Sequence, residues 1–138
     1  MIGEATRGDA EAVVALWQAC GLTRPWNDPH ADFARAVHGA TSAVLVLREG
    51  ERIVGSAMVG SDGHRGWIYY LAVAPDRRRA GHGRALMGAA EAWLRAHDIP
   101  KAQLMVREGN EVALAFYASL GFERQKVVTL GKFLTEAR

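Results

Sequence analysis

The chain has 138 residues, 49% of them hydrophobic and 23% charged, with 15 glycines, a composition that fits one ordinary globular domain and excludes a disordered or collagen-like segment. Seventeen lysines and arginines against 15 acids leave a net charge of +2, too little to argue for a nucleic-acid or membrane partner. No apolar stretch approaches the roughly 18 to 20 residues of a membrane span, the N-terminus lacks the order of a secretory signal, and the lone Cys20 excludes an internal disulfide. A single cytoplasmic domain over residues 1–138 is expected.

From Asp9, the apolar residues Val13, Leu16, Trp17 and Cys20 recur at helical spacing before Gly21, so residues 9–20 read as an amphipathic helix. Cys20 belongs to its buried stripe, with no histidine or basic residue placed beside it by the sequence, and reads as a small core hydrophobe. A loop through Arg24-Pro25-Trp26-Asn27 leads to Asp28, which can cap a short helix that starts at Pro29 and runs to about His38. Ser42 to Arg48 and Ile53 to Val59 are β-rich runs around Glu49-Gly50-Glu51-Arg52, a hairpin. After the turn Ser61 to Gly66, Trp67 to Ala74 is a third antiparallel strand. Its run WIYYLAVA, apolar on both faces, predicts a strand in the middle of the sheet, covered on each side.

Pro75 stops that strand. A helix from about Gly83 to His97 follows, then a strand at Ala102 to Val106, a helix at Asn110 to Leu120, and a last strand at Glu123 to Leu130 with a short partner at Lys132 to Leu134. Strands joined by a helical crossover should be parallel and the hairpins antiparallel. The predicted fold is α/β (α+β), a mixed, mostly antiparallel central sheet with a parallel pair, flanked by about four helices.

The informative stretch is Val73 to Leu86, where a strand runs into Arg78-x-x-Gly81-x-Gly83 and a helix begins. Amides at a helix start lack internal partners and the helix dipole favours negative charge, so a glycine loop that lets a ligand approach them suits a phosphate. Arg77, Arg78, Arg79 and Arg84 add positive charge there. The plainer alternative is a turn with solvated arginines. The position where a dinucleotide-binding loop needs its third glycine is Leu86, and no Gly-Lys-Ser/Thr occurs.

Leu71-x-Val73-x-Pro75, then Arg78-x-x-Gly81-x-Gly83, then Asn110 and Ala113 ahead of Phe116-Tyr117 and Leu120-Gly121-Phe122 resemble, in order and spacing, the GCN5-related N-acetyltransferases (GNAT). The resemblance covers about residues 53–130. Trp26-Asn27-Asp28-Pro29, Asp62-Gly63-His64-Arg65-Gly66 and Tyr69-Tyr70-Leu71 further resemble the small, single-domain YpeA-like members.

The resemblance implies acetyl-CoA as cofactor. Leu71, Ala72 and Val73 would offer backbone groups to its pantetheine arm, lying between two splayed strands, and Arg78, Arg79, Ala80, Gly81, His82, Gly83 and Arg84 would wrap its pyrophosphate. Asn110 resembles the asparagine that bonds the cofactor arm, and as a plainer role it can cap the helix beside it. Tyr117 resembles the tyrosine that protonates the departing thiolate, with core packing as the alternative. The implied mechanism is direct transfer to an amine, needing neither metal nor catalytic cysteine.

Where the related ribosomal-protein alanine acetyltransferases carry a general-base Glu, this chain has Met105. Candidate replacements are Asp62, His64, Tyr69 and Tyr70, and only histidine has an ordinary pKa near neutrality. Trp26, Asn27 and Asp28 fall in the loop that covers the acceptor side in this family, and Asp28 or Asp62 can attract an ammonium group. The expected partner is a small-molecule or peptide amine, with neither nucleic acid nor membrane; a homodimer is allowed for. The rival expectation is a non-catalytic acyl-CoA-binding module.

Overall fold

The computed structural model describes residues 1–135. It forms two compact units, residues 1–104 and the chain from Met105 onward. The first unit holds a five-stranded sheet in the order β1-β2-β3-β4-β5: β1 Ile2–Glu4, β2 Ser42–Glu49, β3 Arg52–Ser61, β4 Gly66–Val73 and β5 Ala102–Gln103. The first four strands pair antiparallel and β4 pairs parallel with β5. This is the mixed, mostly antiparallel architecture expected. Three helices accompany the sheet, α1 Ala10–Ala19, α2 Pro29–His38 and α3 His82–Ala96.

The helices divide between the two faces, and neighbouring residues of β3 show how. Trp17 of α1 donates its Nε1–H to Ser56 Oγ at 3.0 Å. Leu86 of α3 lies where a Cβ on Gly55 would sit, at 2.7 Å. Successive residues of a strand face opposite ways, so α1 covers one face and α3 the other. Along α3 the buried residues Leu86, Ala90 and Leu94 recur every four positions and form its sheet-facing stripe. Gly66 accommodates Leu94 as Gly55 accommodates Leu86, since a Cβ on Gly66 would stand 2.5 Å from the leucine. On the other face Val13, Trp17, Phe33 and Ala36 complete the core with the alternating valines of β2.

Three expectations about the strands need correction. β1 was not anticipated: three residues, paired only at the sheet edge with Leu45 to Leu47, are too few to carry a periodic signal. β4 is not a fully covered central strand. β5 pairs with it only at Gly66 and Trp67, and Tyr69 is 42% exposed, because the apolar run there supplies aromatic surface rather than core. The predicted strand at residues 102–106 accordingly shortens to Ala102–Gln103.

In the second unit, α4 spans Glu111–Ser119. Asn110 caps it by accepting the Ala113 N–H at 3.1 Å, and Gly121, at φ +94°, turns the chain so that Phe122 N–H reaches the Tyr117 carbonyl. The expected strands at residues 123–130 and 132–134 do not form. β-prone residues become a strand only by pairing and burying a face, and Val127, Val128 and Leu130 are 73%, 84% and 90% exposed.

Because Leu94 is buried against Gly66, Gly66→Val should force that leucine out of place and cost about 1–3 kcal/mol of stability, measured by urea denaturation of parent and variant; an unchanged midpoint would show that α3 does not press on the sheet there.

Candidate active site

The first unit contains a strand edge that is open along most of its length. Ala74 N–H donates to the Val54 carbonyl at 2.8 Å across the sheet, so by strand alternation the amide groups of Leu71 and Val73 point away from β3. No strand of the described residues pairs with them, since β5 stops at Gln103. The Val73 carbonyl instead accepts from Cys20 Sγ at 3.3 Å and from Arg78 Nε at 3.2 Å. Arg78 Nη2 also lies 3.5 Å from Cys20 Sγ. The sequence places no basic residue beside Cys20, and it is the turn after Pro75 that brings back Arg78 from 58 residues away, a contact outside any local pattern.

The N-terminal part of that edge is shaped by a bulge. Ser56 pairs with Ala72 but Met58 pairs with Tyr69, so Ala57 alone opposes Tyr70 and Leu71. Tyr70 takes the left-handed conformation, φ +53°, rare for a residue with a Cβ. Alternation would send its ring to the α3 face; the bulge turns it to the α1 face, where it stacks on Trp17 at 3.9 Å and 9°. Its hydroxyl donates to Asp32 Oδ2 of α2 at 2.8 Å, and its carbonyl accepts from Ser56 Oγ at 3.4 Å. Burial and the adjacent Asp32 carboxylate push the Tyr70 phenol well above its ordinary range. Asp32 and Ser56 were not anticipated, because nothing in their local sequence signals contacts with Tyr70, 38 and 14 residues on.

Beyond Val73 a 3-10 turn, Pro75–Arg77, leads through Arg78, Arg79 and Ala80 to Gly81, which caps α3 in the left-handed region at φ +82°. No side chain caps α3 and its first turn has no acid, so the amides of His82, Gly83 and Arg84 begin the helix without a carboxylate partner. The basic residues differ in role. Arg77 pairs with Glu49 at 2.7 Å and with Asp76, Asp76 is gripped by Arg52 at 2.8 and 3.0 Å, and His82 Nε2 lies 3.4 Å from Glu49. These contacts fasten the loop to the β2–β3 hairpin, and the Arg77 guanidinium holds the Glu49 carboxyl below its ordinary range. Arg77 therefore departs from the expectation of a free phosphate-facing charge. Among the described residues Arg79 and Arg84 form no ion pair.

The turn Asp62 to Arg65 lies before the N-terminus of β4. From Gly66 to Leu71 a strand rising about 3.3 Å per residue separates the turn Asp62 to Arg65 from Leu71 by roughly 16 Å. Asp62 is a clamp for its own turn: Oδ1 accepts from the amides of His64 and Arg65, both at 2.8 Å, and Oδ2 from Trp67 Nε1 at 3.1 Å. These donors depress its carboxyl to about 2. Tyr69, stacked on Trp67 at 6.2 Å, has its phenol raised by burial and by Asp62. Asp28 caps α2, accepting from His30 and Ala31 at 3.0 and 3.2 Å, while Trp26 before it is 44% exposed. In the second unit the Tyr117 ring meets Phe116 and Phe122 edge-on at 5.1 and 5.9 Å, and burial raises its phenol above the ordinary value of 10.0. Met105 is exposed.

The fourth strand of a mixed sheet thus leaves a bulged, partly open edge that runs into a helix whose start no side chain caps. The chain belongs to the acetyltransferase (GNAT) family, whose model matches residues 10–122. It is 46% identical over 130 residues to Acetyltransferase ECA0875 of Pectobacterium atrosepticum, covering 94% of this chain and 92% of that protein. It is 44% identical over 128 residues to Acetyltransferase YE1169 of Yersinia enterocolitica, covering 93% and 91%. Among solved structures, the ribosomal-protein-S18-alanine N-acetyltransferase from Escherichia coli matches with a TM-score of 0.79 at 26% identity, over 91% of this chain and 79% of that one. The protein is an acyltransferase of the acetyl-transferring kind. Among the described residues no helix is long and apolar enough to cross a membrane.

The Asp62 clamp has a pH signature. Its carboxyl falls from the ordinary 3.8 to about 2 on folding, so its stabilisation is present above pH 4 and lost as pH falls toward 2. Asp62→Ala should therefore lower the stability at pH 7, with the gap from the parent closing between pH 4 and 2 in parallel denaturation curves; a constant gap would assign the loss to packing.

Proposed function

We propose that this acetyltransferase takes its acetyl group from acetyl-CoA and passes it directly to the nitrogen of a primary amine, either a small molecule or a peptide N-terminus. The observation that carries this reading is the continuity of the open edge at Leu71 to Val73 with the carboxylate-free start of α3. An extended arm with amide groups fits an edge that offers alternate N–H and C=O groups. A pyrophosphate fits the amides of residues 81–84 with Arg79 and Arg84 beside them. The donor set suits the coenzyme, with Leu71 and Val73, on either side of the β3-bonded Ala72, holding the arm, Arg78, Arg79, Ala80, Gly81, His82, Gly83 and Arg84 the phosphates, and Asn110 adding a side-chain amide while it caps α4. The family model matches residues 10–122, which include the loop, Asn110 and Tyr117.

In the transfer, the nitrogen lone pair attacks the thioester carbon, a C–N bond forms and the C–S bond breaks. Edge amides at Leu71 to Val73 donate to the carbonyl oxygen as it gains charge. Tyr117, which stands in α4 ahead of the Leu120-Gly121-Phe122 turn as in the family motif, gives its proton to the leaving thiolate. The surplus proton of the amine passes to water, from which the Tyr117 phenolate takes back a proton. Since Asp62 is committed to its turn and His64 stands at the far end of β4, the amine is taken in its neutral form, without a dedicated base.

Thiol release from acetyl-CoA, followed across polyamines, amino acids, aminoglycosides and N-terminal peptides, tests the reading: at least one amine should release thiol in stoichiometry with acetylated product, and none doing so would overturn it. With a responding amine, Tyr117→Phe should lower kcat by roughly 10²-fold with coenzyme affinity kept in calorimetry; a parental kcat would return Tyr117 to a packing role.

A further inference from the structure

We propose that Asp32, held by Tyr70, is the acceptor-recognition point of this transferase and binds a cationic group of the acceptor other than the nitrogen that is acetylated. The inference rests on the reading that the acyl arm lies along the open edge of β4. On that reading the phosphate end sits at residues 78–84, beyond the C-terminus of β4, so the arm runs back from Val73 toward Leu71 and its thioester comes to the bulge. Tyr70 is the bulge residue, and Asp32 is the carboxylate that its hydroxyl reaches, at 2.8 Å.

Several features suit Asp32 to hold a cation. Its side chain is 26% exposed, so it is partly shielded from water, where a charge pair is stronger than on the open surface, yet it can still be reached. The ring of Tyr69, 42% exposed, projects from the same face of β4, since Met58 and Ser56, two residues apart on β3, pair with Tyr69 and Ala72. Both Asp32 oxygens already accept a hydrogen bond, from Tyr70 and from Arg35 Nη1 at 3.2 Å, which favours holding a charge over taking up the amine's proton. Arg35 is the only cation on Asp32 among the described residues, and it is a weak competitor: its side chain is 76% exposed and makes one contact in an i,i+3 pair.

The chemistry decides which nitrogen Asp32 can serve. The attacking nitrogen must be neutral, and a carboxylate at its side would hold it as the unreactive ammonium. A second cation carries no such cost: it anchors the acceptor while the reacting amine stays free to lose its proton. Acceptors of this class are diamines, polyamines, aminoglycoside-like sugars and peptides with a nearby basic residue.

The test uses matched acceptors that differ only in the second charge, 1,5-diaminopentane against 1-aminopentane and the dipeptide amides Ala-Lys against Ala-norleucine, with initial rates of thiol release from acetyl-CoA. In at least one pair the parent should prefer the dication by about tenfold or more in kcat/KM, the scale of one charge-assisted contact. Asp32→Asn should erase that preference, chiefly through KM. Arg35→Gln, which removes the competing guanidinium, should lower KM for the dication. Equal use of both members of every pair by the parent, or an Asp32→Asn variant that loses both members alike, would overturn the proposal while leaving the transferase reading intact. Thiol release from none of these acceptors and from none of the polyamines, amino acids, aminoglycosides and N-terminal peptides of the wider panel, with acetyl-CoA binding retained in calorimetry, would overturn both.

Discussion

The structure depends on one strained residue. Tyr70 occupies left-handed backbone space that costs a residue with a Cβ on the order of 1 kcal/mol or more, and it stays there because three contacts hold it. Trp17 stacks on its ring, Ser56 donates to its carbonyl and Asp32 accepts from its hydroxyl. Ser56, the one fully buried polar residue of the described core, is also the acceptor for Trp17 Nε1, so the indole that presses on the ring is fixed by the hydroxyl that fixes the backbone. The bulge is the point where α1, α2, β3 and β4 meet. It turns one aromatic side chain to the α1 face and, in doing so, sets the phase of Leu71 to Val73 along the edge.

Electrostatics fixes the other end of that edge. Glu49 and Arg52 close the β2–β3 hairpin, and from there they grip Arg77, His82 and Asp76. Each exposed pair alone contributes little. As a network they anchor the turn from which Arg78, Arg79 and Gly81 lead into α3, and they divide the basic cluster into residues that build the loop and residues left to meet an anion. A run of adjacent arginines conceals that division, since it depends on Glu49, 28 residues before Arg77, and on Arg52, 24 residues before Asp76.

The sequence was most readable where a pattern is local. The hairpins, the helical stripe of α3, the Asp28 and Asn110 caps and the glycine turn before α3 all follow from spacing and turn chemistry, and the structure has them within a residue or two. The failures share one cause. β1 is a strand only because Leu45 to Leu47 offer it an edge, residues 123–130 are not one because they pair with no strand, and the apolar run of β4 was read as doubly covered although its second neighbour leaves after Trp67. Pairing is a long-range property that propensity does not contain. The same holds at the site. The open edge, the loop and the capping asparagine lie within recognisable motifs, whereas Asp32, Ser56 and the Cys20–Arg78 contact arise from residues 14 to 58 positions apart.

The central claim is that the amides of Leu71 and Val73 lack a strand partner and are the groups that take up the coenzyme arm. Residue-resolved amide hydrogen exchange, measured by NMR with and without acetyl-CoA, tests it most directly. The account predicts that Ala72 and Ala74, bonded across to β3, exchange slowly in both states, while Leu71 and Val73 exchange fast alone and become protected when the coenzyme is added. Slow exchange at Leu71 and Val73 in the free protein, or exchange there that the coenzyme does not change, would contradict it.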